Sequence, residues 1–208
     1  MPLEGVAVKA TAAKPRESQA ARTARTRGAL LVAARELFAE RGFAETGRDE
    51  IAARAGVTRG ALYHHFASKT EVMAAVVEEL ETELVARVVA AGLEGRGVRE
   101  QLHVGCRAYM DACADPAIAR ILADAPAVLG PTAIRALDAT SCVPLLKEVF
   151  SRAAAEGIAV PGDPAVLASL LLGLLNEGAA LIAASPWNRE LRERVATTVD
   201  ACVSQLFG

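Results

Sequence analysis

Residues 56–69, Gly-Val-Thr-Arg-Gly-Ala-Leu-Tyr-His-His-Phe-Ala-Ser-Lys, concentrate side chains suited to binding a polyanion. Arginine presents a planar fork of donors that fits a guanine edge or a phosphate. Lysine presents a point charge, and tyrosine and histidine present single donors. No nucleophile–base pair, metal-ligand cluster or phosphate-binding glycine loop is legible in the chain. The chemistry is therefore expected to be binding rather than turnover, with no metal and no other cofactor.

Hydrophobic spacing decides which of these groups point outward. Thr58 is expected to cap a short helix, with Val57 and Leu62 as a hydrophobic staple. Leu62 and Phe66, four apart, point inward. Arg59, Gly60, Tyr63 and His64 then point away, and His65 lies nearer the core. Gly60 has no side chain, so the backbone can approach a ligand closely. Upstream, Thr46-x-x-Asp49 resembles a capping box that opens a helix with Ile51, Ala52 and Ala55 inside. Two short helices joined through Ala55-Gly56-Val57 make a helix-turn-helix, whose second helix enters the major groove. On this reading Arg59 is bidentate to guanine, Tyr63 and Lys69 contact phosphates, and His64 reads a base or a phosphate. The alternative is a glycine-turned helix pair that touches no DNA.

Charge is distributed in keeping with the first reading. Residues 1–69 carry 12 Lys and Arg against 7 Asp and Glu, whereas residues 70–208 carry 11 against 18. A basic front on an acidic body places polyanion contact at the front. Residues 1–22 mix Ala, Lys, Arg, Pro and Glu without period and are expected to be a disordered basic arm, either tracking DNA or inert.

Residues 27–72, RGALLVAARELFAERGFAETGRDEIAARAGVTRGALYHHFASKTEV, resemble the DNA-binding domain of the tetracycline-repressor (TetR/AcrR) family. The matching features are the Ala-Ala-x-x-Leu-Phe helix, the Gly-Phe-x-x-Thr turn, Ile-Ala-x-x-Ala-Gly-Val-Thr and Gly-x-Leu-Tyr-x-His-Phe-x-x-Lys. The run departs at Thr70, where the family usually has Glu, a difference confined to a local cap. By position, the resemblance implies a DNA face of Arg48, Thr58, Arg59, Gly60, Tyr63, His64 and Lys69. It adds Thr46 as a phosphate contact besides a cap, and His65 as the family's histidine near phosphate. It also implies a DNA-binding domain over 23–68, and a ligand-binding and dimerisation domain over 69–208. A homodimer on a near-palindromic double-stranded operator, acting as a ligand-responsive repressor, follows from the same resemblance.

The rest of the chain must hold this unit in place. Apolar residues make up 52% of the sequence and aromatics 4%, and Val and Ile do not cluster in alternating runs. An all-α fold is expected, a three-helix front plus a helical bundle, with about nine helices. Breaks are expected at Asp115-Pro116, Pro126, Gly130-Pro131, Gly157 to Pro164 and Ser185-Pro186, and Pro144 should kink or split the seventh helix. The last two helices, 163–184 and 188–206, offer Leu170, Leu174, Leu181, Val195, Val199 and Cys202 either to a dimer interface or to an internal core. The fifth helix, 98–114, carries His103, Cys106, Arg107, Tyr109 and Met110. With Asn176 and Glu177 these either line a cavity for a small, mainly hydrophobic effector or belong to the core. Four cysteines without a CxxC pair are read as reduced thiols of a cytoplasmic protein. The longest apolar stretch, Ala165–Leu175, falls short of the roughly 20 residues of a span, so no membrane helix is expected.

Overall fold

Ser18 opens the first helix by accepting the Ala21 N–H at 3.1 Å. The structure, a computed structural model, describes residues 18–185 and 187–207. Among these the chain forms ten helices and no strand. They are α1 Gln19–Glu45, α2 Arg48–Arg54, α3 Arg59–His65, α4 Lys69–Gly92, α5 Val98–Cys113, α6 Pro116–Leu129, α7 Pro131–Thr140, α8 Cys142–Ala155, α9 Pro164–Ala184 and α10 Arg189–Gln205. Residues 19–22, expected to belong to a disordered arm, are instead the first turn of α1, because Ser18 supplies a cap. Residues 1–17 of the expected basic arm lie outside the described residues.

Inside α1, Gly42 breaks the helix with φ +83° and ψ +170°. Its position is buried, and a Cβ there would come within 3.1 Å of the Arg120 guanidinium and 3.2 Å of an Asp124 carboxylate oxygen. Glycine is required both for the backbone angle and for this close approach. The turn that follows differs from the expected capping box. Thr46 does not cap α2: its hydroxyl donates to the Gly42 carbonyl at 2.8 Å, and the side chain is 1% exposed. That burial takes Thr46 off the outer face. Gly47 is the N-cap of α2, and Glu50 accepts the Gly47 N–H at 2.9 Å.

Lys69 is a second correction. Its ammonium donates to the carbonyls of Phe43 at 2.7 Å, Thr46 at 2.9 Å and Ala44 at 3.3 Å. All three protons are occupied, so the side chain clamps the α1–α2 turn instead of standing free for phosphate. The Thr70 departure is harmless, since Ser68 accepts the Glu71 N–H at 3.0 Å and Glu71 accepts the Ala67 N–H at 2.7 Å.

One continuous apolar core runs from Leu30 in α1 to Phe207. At the front, Leu30, Leu37 and Phe38 meet Ile51, Leu62, Val72 and Met73, all almost fully buried. Behind, α4 packs along α5, α6 packs on α1, α4 and α9, and α8 lies against α9. The expected long seventh helix is split at Ser141 (φ −110°, ψ −84°), which makes ten helices instead of nine. Pro144 sits in the first turn of α8, where a missing N–H costs little. Pro126 does not end α6, which continues to Leu129. By length and composition α9 is apolar enough to cross a membrane; its Ala168, Leu171, Leu172, Leu175 and Ile182 are buried in the core instead.

Lys69→Met keeps the aliphatic stem over Phe43 but leaves the turn carbonyls without donors. Hydrogen bonds from a charged group contribute roughly 1.5–3 kcal/mol. The variant should melt roughly 3–12 °C lower in a thermal scan. An unchanged midpoint would mean that the clamp does not stabilise the turn.

Candidate nucleic-acid interface and ligand cavity

Leu62 at 1% and Phe66 at 4% exposure fix the rotation of α3 and its exit. Arg59, Gly60, Tyr63 and His64 are exposed on the other side, and His65 is half-buried. Thr58 is spent as the N-cap, accepting the Ala61 N–H at 3.2 Å. A Cβ on Gly60 would meet only Thr58 Oγ1, at 4.0 Å, so the backbone there faces open space. Tyr63 is the hub of this face. Arg59 Nη2 donates to its hydroxyl at 3.1 Å, and the Arg48 guanidinium lies 4.4 Å from its ring centroid. Arg48 also donates to the Ala67 carbonyl at 3.0 Å, tying α2 to the α3–α4 turn.

Arg59 Nε lies 3.1 Å from Asp49 Oδ1, and both side chains are exposed. The Tyr63 hydroxyl, and then the Asp49 charge, raise the Arg59 pKa, so it is a fixed cation. An exposed pair contributes little stability, so Arg59 can exchange Asp49 for a phosphate or a base edge. Arg54 is bound instead by Glu36 and Glu40, away from this face. Burial, followed by the neighbouring His64 and Arg27, lowers the His65 pKa. His65 therefore packs as a neutral ring, 5.5 Å and edge-on from His64.

In the rear, a cavity of about 170 Å³ lies between α4, α5, α6, α7 and α9. Val77, Leu84, Leu122 and Ile134 make its apolar wall. Tyr109 donates to Asn176 Oδ1 at 2.5 Å on the polar side. A second cavity of about 160 Å³ adjoins it between α4, α5, α8 and α9, with Tyr109 and Cys142 in both walls. Of the residues singled out in the sequence, Tyr109 and Asn176 line the first cavity, and Cys106 lines the second.

The others stand elsewhere. Arg107 Nε donates to Asp200 Oδ2 at 2.9 Å, and His103 Nδ1 lies 4.0 Å from Asp200 Oδ1, so both face α10. Met110 is buried against Gly178, where an added Cβ would come within 3.0 Å of Met110 Cε. Glu177 is exposed. Burial pushes the Cys106 and Cys113 thiols up to about 12 and Cys142 up to about 11, so none is a thiolate at neutral pH. Sequence reasoning missed Glu81 and Asp138, both on the first cavity's wall. The signal was present: Glu81 interrupts the apolar stripe Val77, Leu80, Leu84, and Asp138 follows Ile134 at four residues.

Residues 30–76 match the model of the bacterial regulatory proteins, tetR family. Residues 99–206, more than half of the chain, match the tetracyclin repressor-like C-terminal domain. The chain belongs to the TetR family of transcriptional regulators. A TetR-family transcriptional regulator of known structure from Pectobacterium atrosepticum is 34% identical, with 92% of this chain and 98% of that one covered and a TM-score of 0.78. The HTH-type transcriptional activator FasR of Mycolicibacterium smegmatis is 42% identical over 85 residues, 41% of this chain. The match spans 39% of FasR's length. A FadR from Bacillus subtilis, solved in complex with stearoyl-CoA, is 17% identical with 85% and 96% covered and a TM-score of 0.70, a likeness of fold alone.

Within this TetR-family fold, the candidate dimer residues divide into two groups. Leu170 is 66% and Leu181 45% exposed, Leu174 is half-buried, and Cys202 is exposed. With Val166, 59% exposed, the three leucines form an apolar outer face on α9, whereas Cys202 stands on α10 among mostly polar exposed residues. Val195 and Val199 are instead buried within the protomer, at 8% and 4%, against α5 and α9. Of the two alternatives for them, dimer interface or internal core, burial places both in the core.

Glu81, 8% exposed, accepts from the Ser141 hydroxyl. Burial raises its carboxyl above the usual range, and Asp138 and Glu78 push it the same way. A raised acid pKa means that the folded state favours the protonated form. The buried charge therefore weakens the fold above the folded pKa, and the penalty fades as pH falls toward the unfolded value of about 4.3. Glu81→Gln should raise the melting temperature at pH 7–8, and the gain should shrink on acidification. A constant difference at all pH values would mean that ionisation of Glu81 is not its cause.

Proposed function

We propose that this chain is a homodimeric, effector-responsive repressor that binds a near-palindromic operator through α3. The exposed set Arg59, Gly60, Tyr63 and His64, held outward by buried Leu62 and Phe66, is the observation that carries the reading. Arg59 reads guanine, Tyr63 and Arg48 approach phosphates, and Gly60 lets the backbone come close. The apolar outer face of α9, with α10 beside it, pairs two protomers, so that two α3 helices meet successive major-groove turns. The protein works in the cytoplasm, in keeping with four free cysteines and a DNA partner.

The rear cavity is the effector site. Its neighbour α6 supports coupling to DNA. Ala119, Leu122 and Ala123 of α6 line the cavity, while Arg120 donates to the Arg41 carbonyl at 2.8 Å and Asp124 accepts the Phe43 N–H at 2.7 Å. A ligand that shifts α6 pulls on the turn from which α2 and α3 start. Coupling of this kind changes operator affinity ~5–150-fold, and operator DNA weakens effector binding by the same factor. A protein of like fold, FadR from Bacillus subtilis, was solved in complex with stearoyl-CoA, in keeping with a small-molecule effector.

Arg59→Ala should relax base preference, with roughly 1–3 kcal/mol lost on operator DNA and little on random DNA. Asp49→Asn should tighten both, because it frees Arg59 and removes a negative charge. Anisotropy titrations at two salt concentrations read both effects. Equal losses on operator and random DNA for Arg59→Ala would remove it as a reader. Leu170→Arg leaves the protomer core untouched and should yield a folded monomer with weakened operator binding. A folded dimer of this variant in light scattering would place the interface elsewhere.

A further inference from the structure

The first rear cavity has an unbalanced charge. Glu81 enters its wall from α4 and Asp138 from α7, and no Lys, Arg or His lines it. Glu81 has one hydrogen bond, from Ser141, and no cationic partner among the described residues. Asp138 is half-buried, and no hydrogen bond or ion pair among the described residues holds it. Arg120 of α6 is engaged by the Arg41 carbonyl, and Arg135, exposed one turn before Asp138 on α7, forms no ion pair with it among the described residues. Carboxylates facing an apolar enclosure without a counter-charge are costly to ionise. Burial raises both carboxyls accordingly. A ligand that brings a positive charge removes that cost on binding, whereas a carboxylate or phosphate ligand adds to it.

From this arrangement we infer that the cavity selects a small lipophilic cation, an amine or quaternary ammonium on an aromatic or branched aliphatic body. The cationic head lies toward Glu81 and Asp138. The body packs on Leu84, Leu122 and Ile134, and Tyr109 offers a ring for cation–π contact. The volume of about 170 Å³ limits the ligand to roughly one ring and a compact head. This rests on the reading of the cavity as the effector site, and it sets the chain's ligand apart from an acyl-CoA, whose phosphates would meet two acids.

The test uses the full-length protein and three probes of similar size: phenyltrimethylammonium, its uncharged isostere tert-butylbenzene, and phenylacetate. Calorimetry and thermal shift report affinity. Phenyltrimethylammonium should bind at least about tenfold more tightly than tert-butylbenzene, with phenylacetate weakest. Glu81→Gln with Asp138→Asn should abolish the preference while keeping tert-butylbenzene binding. If the double variant does not fold, each single variant should show part of the loss. If tert-butylbenzene or phenylacetate binds as tightly as the cation, or the preference survives the substitutions, the cation assignment falls and the effector cavity stands. If none of the three binds, both fall.

Discussion

Where α1 breaks at Gly42, the chain turns sharply in a buried place and leaves backbone groups that no helix can satisfy. Besides the Thr46 N–H, which donates to the Phe43 carbonyl at 3.3 Å, the partners they find are side chains. Thr46 takes the Gly42 carbonyl, Lys69 takes those of Phe43, Ala44 and Thr46, Arg120 takes that of Arg41, and Asp124 accepts the Phe43 N–H. Buried backbone polar groups are expensive to leave unmade. The turn therefore dictates where α4 begins and where α6 lies. Those two helices, in turn, fix the attitude of α2 and α3 and supply walls for the rear cavity.

The junction between front and rear is thus built from two kinds of contact. Apolar packing between α1, α4 and α6 holds the halves together, and hydrogen bonds at the Gly42 turn set their angle. Hydrogen bonds are directional and can be exchanged for others with a small net change. Apolar packing resists separation but tolerates sliding. A helix such as α6 can therefore shift relative to α1 without unfolding either half, provided that Arg120 and Asp124 keep partners. The same logic explains why Gly42 has no substitute: a Cβ would push directly against both side chains.

Local signals in the sequence were legible wherever one residue's choice settled the matter. Thr58 and Ser68 cap helices because nothing else competes for their hydroxyls. Leu62 and Phe66 point inward because four-residue spacing leaves one face. The failures come from competition between partners distant in sequence. Thr46 has the spacing of a cap, but the Gly42 carbonyl claims its hydroxyl and Gly47 takes the role. Lys69 reads as a phosphate contact until the turn carbonyls, more than twenty residues earlier, are seen to fill its donors. His103 and Arg107, four apart, share a face of α5 opposite Tyr109, a spacing legible in the sequence; Asp200 of α10 meets that face. Glu81 was visible as an acid in an apolar stripe, but the pattern alone does not distinguish a cavity from a packed core.

The recognition face shows how little the protein invests in fixing its own charges there. Arg48 and Arg59 both stack on Tyr63, and Asp49 holds Arg59 only through an exposed ion pair. Contact with one ring holds both guanidinium groups near Tyr63, so less side-chain entropy is left to lose on contact with a phosphate or a base. Asp49 meets Arg59 through one oxygen on Nε alone, a contact that an anionic ligand can displace. The front and rear sites share this principle with opposite sign. At the front, cations are held beside one ring, where the proposed function has them meet an anionic polymer. At the rear, two acids stand on an apolar wall without a counter-charge, and protonation or, on the proposed reading, a cationic ligand relieves the cost.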